Sequence, residues 1–235
     1  MLPSQRLART AGLYYLVVAV FGAFAHIVRV KVYVPGDAMT TTANVLENAD
    51  LVRYSLVADL VQATFLLFVV MALHRLLQHV NTHVARAMVL FVVVAVAVTT
   101  LNMVNQLGAL LVATDPSYAA AFGTDGAQSL VMLLLDLQHY GYLIAQIFFG
   151  LWLFPLGLLA WRSGMFPRVI AALLMTASTF YVVDVALVFL APAAADAIDP
   201  ALVVLFTVAE VSMLVFLLAK GVLAGRPAGP VLVAA

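Results

Sequence analysis

Asp136-Leu-Gln-His139-Tyr140-Gly-Tyr142-Leu-Ile-Ala-Gln146 lies inside a continuous apolar run from Ala127 to Trp161. About 20 apolar residues are enough to cross the hydrocarbon layer of a membrane, so this run reads as a membrane helix. Asp136, His139, Tyr140 and Gln146 recur at helical spacing and share one face. An acid and a histidine at membrane depth are costly, and mark a candidate functional site.

Composition extends that reading to the whole chain. Of 235 residues, 66% are hydrophobic and only 9% are charged, against about 25% charged in soluble domains. Mean hydropathy is +1.13. The net charge is zero, which leaves no electrostatic basis for nucleic-acid binding. Cysteine is absent, which removes disulfides, thiolate catalysis, Cys-ligated zinc and iron–sulfur clusters together. Arg6 and Arg9, an apolar run and Ala23-Phe24-Ala25 imitate a signal peptide. The run is longer than the usual ~7–15 residues of such a segment, so it reads as a first span.

Six segments are long enough to cross: roughly 10–30, 51–73, 84–113, 128–161, 169–190 and 201–222. The expected fold is an all-α membrane protein, a six-transmembrane helix bundle forming one integral domain over 1–235. The third and fourth segments exceed the minimum, so tilt or kinking is expected, and Pro155 is the place for it. Arg6, Arg9, Arg75, Arg86, Arg162, Arg168, Lys220 and Arg226 fall on one set of loops, and Arg29, Lys31 and Arg53 on the other. By the positive-inside rule both termini are cytoplasmic and the first, third and fifth loops face outward. Tyr14, Tyr15, Trp152, Trp161 and Phe166 lie toward the cytoplasmic ends, as an aromatic belt would.

The first outer loop has structure of its own. Val34-Pro-Gly-Asp37 reads as a turn ending in a helix N-cap. Met39, Ala43 and Leu46 then repeat on one face as far as Asn48, predicting a short amphipathic helix on the outer surface. If it is a lid, this stripe should lie on the bundle mouth near His26 and Arg53. Asp50 is placed to cap the second span.

Arg6-Leu-Ala-Arg-Thr-Ala-Gly-Leu-Tyr-Tyr15, Val34-Pro-Gly-Asp37-Ala, Ala58-Asp59, Asp136-Leu-Gln-His-Tyr-Gly-Tyr-Leu-Ile144 and Arg162-Ser-Gly164 resemble a bacterial membrane-protein family, domain of unknown function 4386. The similarity covers almost the whole chain, and Asp136–Ile144 is its most specific part. It implies a small multi-span membrane protein and carries no catalytic residue with it.

Counting in from the outer ends at ~1.5 Å per residue puts Asp59, Asp136, Asp184 and Glu210 roughly 9–13 Å deep, with Asn105 and Gln106 comparable. Companions share their faces: Ser55 and Gln62 with Asp59, Asn102 with Asn105, Tyr181 with Asp184, Thr207 with Glu210. Such stripes face other helices or a wet cavity, not lipid. Asp59, Asp136 and Glu210 recur on alternate spans, which suggests three stacked hairpins.

The expected site is therefore a polar, acid-rich pocket in the outer half, lined by Asp59, Gln62, Asn102, Asn105, Asp136, His139, Tyr140, Asp184 and Glu210, with His26 and Arg53 nearer the surface. It would bind a small polar ligand, a lipid head group or a cation; membrane lipids are the other expected partners. Alternative readings use the same acids in a metal-dependent, hydrolase-like membrane enzyme or a proton-coupled transporter. No metal is assigned; Asp136, His139 and Glu210 would be its ligands. Only one acid-x-x-His pair is present, where helical di-metal sites use two. Gly-x-Ser-x-Gly and His-Glu-x-x-His are absent, and His74, His79 and His83 lie in or near the cytoplasmic second loop. The simplest reading leaves the polar groups as hydrogen-bonding joints between helices. No cofactor, ligand identity or oligomeric state follows from the residues.

Overall fold

The computed structural model describes residues 3–223, and these are all-α. In chain order the helices are α1 (Pro3–Val32), α2 (Ala38–Glu47), α3 (Ala49–Leu77), α4 (Thr82–Thr114), α5 (Pro116–Phe122), α6 (Thr124–Ser163), α7 (Arg168–Leu190) and α8 (Pro192–Ala219). All but α2 and α5 are long and apolar enough to cross a membrane. The chain is thus a multi-pass integral membrane protein. Arg226 and the two chain ends, which entered the charge argument, lie outside the described residues.

The helices outrun the spans read from hydropathy, because a helix need not stop where the lipid does. The 40 residues of α6 make it about 60 Å long, roughly twice the ~30 Å hydrocarbon thickness. The last helix begins at Pro192 rather than near Ala201. Pro192 sits in its first turn, where a missing N–H costs nothing, and Pro200 is carried inside the helix. At the far end Gly221 adopts φ 75° and gives its N–H to the Phe216 carbonyl at 3.0 Å, a left-handed C-cap. Helix α5 was not expected. Its signal was nevertheless present: Asp115 accepts from the Ser117 N–H at 2.9 Å, and Pro116 fills the first position. That backbone hydrogen bond holds the Asp115 carboxyl below its usual range.

The loop before α2 is a type II turn, with Pro35 second and Gly36 third at φ 78°. Asp37 donates its N–H to the Val34 carbonyl at 3.1 Å, and its carboxylate accepts from the Thr40 N–H at 2.9 Å and the Thr40 hydroxyl at 2.6 Å. Helix α2 is turned differently from the expected lid. Thr41, Thr42 and Val45 are buried, whereas Met39 is 68% exposed and Leu46 49%, and Ala43 is exposed too. Thr41 decides the rotation: its hydroxyl bonds both N–H and carbonyl of Val34, at 3.0 and 3.1 Å. Asp50 is no cap either. It sits within the first turn of α3 and pairs with Arg53 at 2.6 Å.

The chain divides into two compact units. Of the described residues, the first takes 3–15, Leu67–Val93 and 146–223. Here α7 packs against α8, and Leu73, Met88, Trp152, Leu156, Leu174, Met213 and Leu217 are wholly buried. Helices α6 and α7 approach closely at Gly157, where any Cβ would strike the Ala171 carbonyl and Met175. The second unit takes Leu16–Leu66 and Val94–Ala145. Its apolar core joins Val28 and Val32 of α1, Val45 of α2, Val52 of α3, Leu110 of α4 and Val131 and Leu135 of α6.

Candidate functional site

In the second unit, Arg29 and Tyr33 stand one turn apart at the end of α1 and reach two different helices. The Arg29 Nη1 donates to Asp59 Oδ2 of α3 at 2.5 Å, with side chains 16% and 5% exposed. Its guanidinium lies 5.3 Å over the Tyr142 ring of α6. A buried ion pair is tolerable only with such added contacts, because desolvation offsets most of the attraction. The Tyr33 hydroxyl donates to Asp136 Oδ1 at 2.6 Å, and its ring stacks on His139 with centroids 5.7 Å apart. Tyr140 meets His139 edge-on at 5.3 Å. Burial, and then the bond to Asp136, push the Tyr33 phenol above its ordinary range. Asp136, His139 and Tyr140 of α6 thus gather with Tyr33 just past α1, and Asp59 of α3 with Arg29 of α1 and Tyr142 of α6; His139 and Tyr140 are exposed.

The polar residues of α4 do something else. Asn102 Nδ2 donates to the Gln138 carbonyl at 2.7 Å, and Asn105 Nδ2 donates to Asn102 Oδ1 at 2.9 Å. Gly141 leaves room for that amide, since a Cβ there would overlap it. Gln106 Nε2 donates to the buried Ser55 hydroxyl at 2.9 Å. These bonds pin α4 to α3 and α6. Gln62 lies against Gly22 of α1. His26 is exposed, and Arg53 is engaged with Asp50 at the surface.

In the first unit, Glu210 of α8 is clamped by two phenols. Tyr15 of α1 donates to Oε2 at 2.8 Å and Tyr181 of α7 to Oε1 at 2.9 Å. Tyr181 stacks on Phe206 at 3.6 Å, and Tyr15 meets Trp152 edge-on at 6.3 Å. Asp184 is buried and accepts a long bond, 3.4 Å, from Gln146 Nε2. The expected aromatic belt is corrected accordingly. Tyr15, Trp152 and Phe166 are 4%, 1% and 2% exposed, because the Tyr15 phenol serves Glu210 instead of the interface.

The acids on alternate helices have unlike partners: an arginine for Asp59, one phenol for Asp136, two for Glu210. Their spacing in the sequence is not matched by a repeated contact. Among the described residues no three His, Asp or Glu side chains form a group able to hold a metal ion. Tyr15, Tyr33, Tyr142 and Tyr181 were not singled out as site residues. The available signal was spacing: Tyr33 follows Arg29 by one turn, and Tyr181 precedes Asp184 by one.

A family model described as a domain of unknown function, DUF4386, matches residues 10–221. The chain belongs to the DUF4386 family. No curated protein and no solved structure matches it. The stretch matched to DUF4386 contains every residue of both polar clusters, from Tyr15 to Glu210.

Proposed function

We propose that this DUF4386 chain is a bacterial inner-membrane binding protein, one integral domain with both ends cytoplasmic, whose cluster in the second unit takes a small organic cation. The observation that carries this reading is the environment of Asp136. Arg29 and Asp59 neutralise each other, whereas Asp136 is met by a neutral phenol. The ring of that phenol stacks on His139, and His139 meets Tyr140 edge-on. A carboxylate at the edge of an aromatic cluster suits an ammonium group, which gains from the charge and from any ring face it reaches.

The test is calorimetric titration of the purified protein in lipid nanodiscs with choline, tetramethylammonium, spermidine and sodium. At least one organic ammonium should bind, and Asp136→Asn should abolish binding while elution and helicity stay unchanged. Binding that survives Asp136→Asn, or no binding by any ammonium, removes the reading.

A second reading is favoured by the number of paired acids. Asp59, Asp184 and Glu210 each accept a hydrogen bond from another helix, and Asp136 accepts one from Tyr33 just past α1, as joints between helices would. In that case Asp136→Asn lowers stability and nothing else.

A further inference from the structure

A separate feature lies in the first unit. A mostly apolar cavity of about 450 Å³ is lined by Phe91 of α4, Leu151, Phe154 and Pro155 of α6, and Thr179 and Val182 of α7, among others. That volume is within the range of ligand sites, roughly 300–1,000 Å³. The Thr179 hydroxyl is satisfied by the Met175 carbonyl at 3.2 Å, so it asks nothing of an occupant. Pro155 and the close contacts at Gly150 and Gly157 set the space between α6 and α7.

The same two helix faces lead to a cation. Phe154 and Trp161 are two turns apart on one face of α6, about 10 Å. Thr179, Val182 and Arg168 share one face of α7, with Thr179 about 16 Å from Arg168 along the axis. The Arg168 guanidinium lies 5.5 Å over the Trp161 ring. Arg168 and its neighbour Arg162 are exposed, and neither makes an ion pair among the described residues. The seam is therefore amphiphilic along its length: two uncompensated cations at the helix ends, then an apolar groove one to two nanometres deeper.

From this seam we infer a built site for one anionic phospholipid, its phosphate at Arg162 and Arg168 and one acyl chain in the groove between α6 and α7. The charge selects the head group, and the axial distance of about 16 Å from Arg168 to Thr179 is one that an acyl chain spans. Trp161 holds the arginine at the interface, as aromatic residues do at the edge of the hydrocarbon. The site is independent of the cation site around Asp136, and either can fail alone.

The experiment is native mass spectrometry of the delipidated protein with phosphatidylglycerol or phosphatidylcholine of identical chains. Wild type should retain phosphatidylglycerol in preference to phosphatidylcholine. Arg168→Gln should weaken phosphatidylglycerol about fivefold, the scale for one arginine at an anionic surface, and Arg162→Gln/Arg168→Gln should abolish the preference. Val182→Trp, which fills the groove, should lower retention of both lipids. Equal retention of the two lipids by wild type, or an unchanged Arg162→Gln/Arg168→Gln variant, overturns the site. Should Val182→Trp misfold, wild type is photolysed with a phosphatidylglycerol carrying a diazirine in its acyl chain. Label is expected on peptides 151–155 or 178–183, and label confined elsewhere overturns the groove.

Discussion

At the scale of single residues, the buried charges are held by partners chosen one by one. Glu210 has one phenol on each oxygen. Tyr181→Phe keeps the ring against Phe206 and removes only the donor, leaving a carboxylate oxygen unpaired. The expected loss is about 1–2 kcal/mol, between the modest worth of a membrane hydrogen bond and the penalty for stranding a charged acceptor. Unfolding in a denaturing detergent measures it; a variant as stable as wild type would mean that the phenol is idle. For Arg29 and Asp59 the stakes are larger, since the pair is almost wholly enclosed. Asp59→Leu strands the guanidinium and should cost about 3–5 kcal/mol, while Arg29→Met/Asp59→Leu should recover most of it. A double variant no better than Asp59→Leu would show that the ion pair itself carries stability. The acids were legible in the sequence, because charge inside an apolar run stands out against its surroundings. Their phenolic partners were not. Tyr15 reads like any interfacial tyrosine until the rotation of α1 against α8 is known, and that rotation is a tertiary property.

At the scale of elements, hydropathy was sufficient for the six long helices and insufficient for how each is turned. Helix α2 illustrates both halves. The Pro35–Gly36 turn and the Asp37 cap were readable from local chemistry. The buried face was not, because the Thr41 hydroxyl, accepting from the Val34 N–H and donating to the Val34 carbonyl, outweighs the pull of Met39 and Leu46. The cap makes α2 sensitive to acid. Hydrogen bonds from the Thr40 hydroxyl and N–H hold the Asp37 carboxyl below its usual range. A depressed value in the folded state means that the cap's contribution is fully present above the ordinary carboxylate pKa of about 3.9. It is lost as pH falls through the lower, folded value. Exchange protection of the Thr41–Val45 amides, normalised to intrinsic rates, should drop over that window. Asp37→Ala should be weakly protected at every pH; equal curves for the two proteins would leave the cap without a role. Between α6 and α7 the controlling residue is Gly150, where a Cβ would overlap the Tyr181 side chain. Gly150→Ala should cost about 1–3 kcal/mol by overpacking. Because the overlap is with the Tyr181 Cβ, which alanine keeps, Tyr181→Ala should leave most of the cost in place and only Tyr181→Gly should lower it.

At the scale of the whole molecule, the distribution of charge makes a claim about direction. Arg6 and Arg9 at the start of α1, Arg75 at the end of α3, Arg86 at the start of α4, Arg162 at the end of α6, Arg168 at the start of α7 and Lys220 after α8 fall on one side if the six long helices alternate. Arg29, Lys31 and Arg53 fall on the other. Positive residues near span ends are retained in the cytoplasm, and short loops obey this bias most strictly. The loop between α3 and α4 is short and holds His79, so it should face inward with its arginine neighbours. By the same alternation α2 and α5 should face outward, where Asp37 and Asp115 cap them. The absence of cysteine makes the test clean, because any introduced thiol is the only one in the chain. Ala43→Cys on α2 and Ser117→Cys on α5 should react with a membrane-impermeant maleimide in intact cells. His79→Cys should react only after the membrane is opened. The reverse pattern would invert the topology and put the cation site around Asp136 on the cytoplasmic side. Labelling of all three thiols in intact cells would mean that the alternation of spans is wrong.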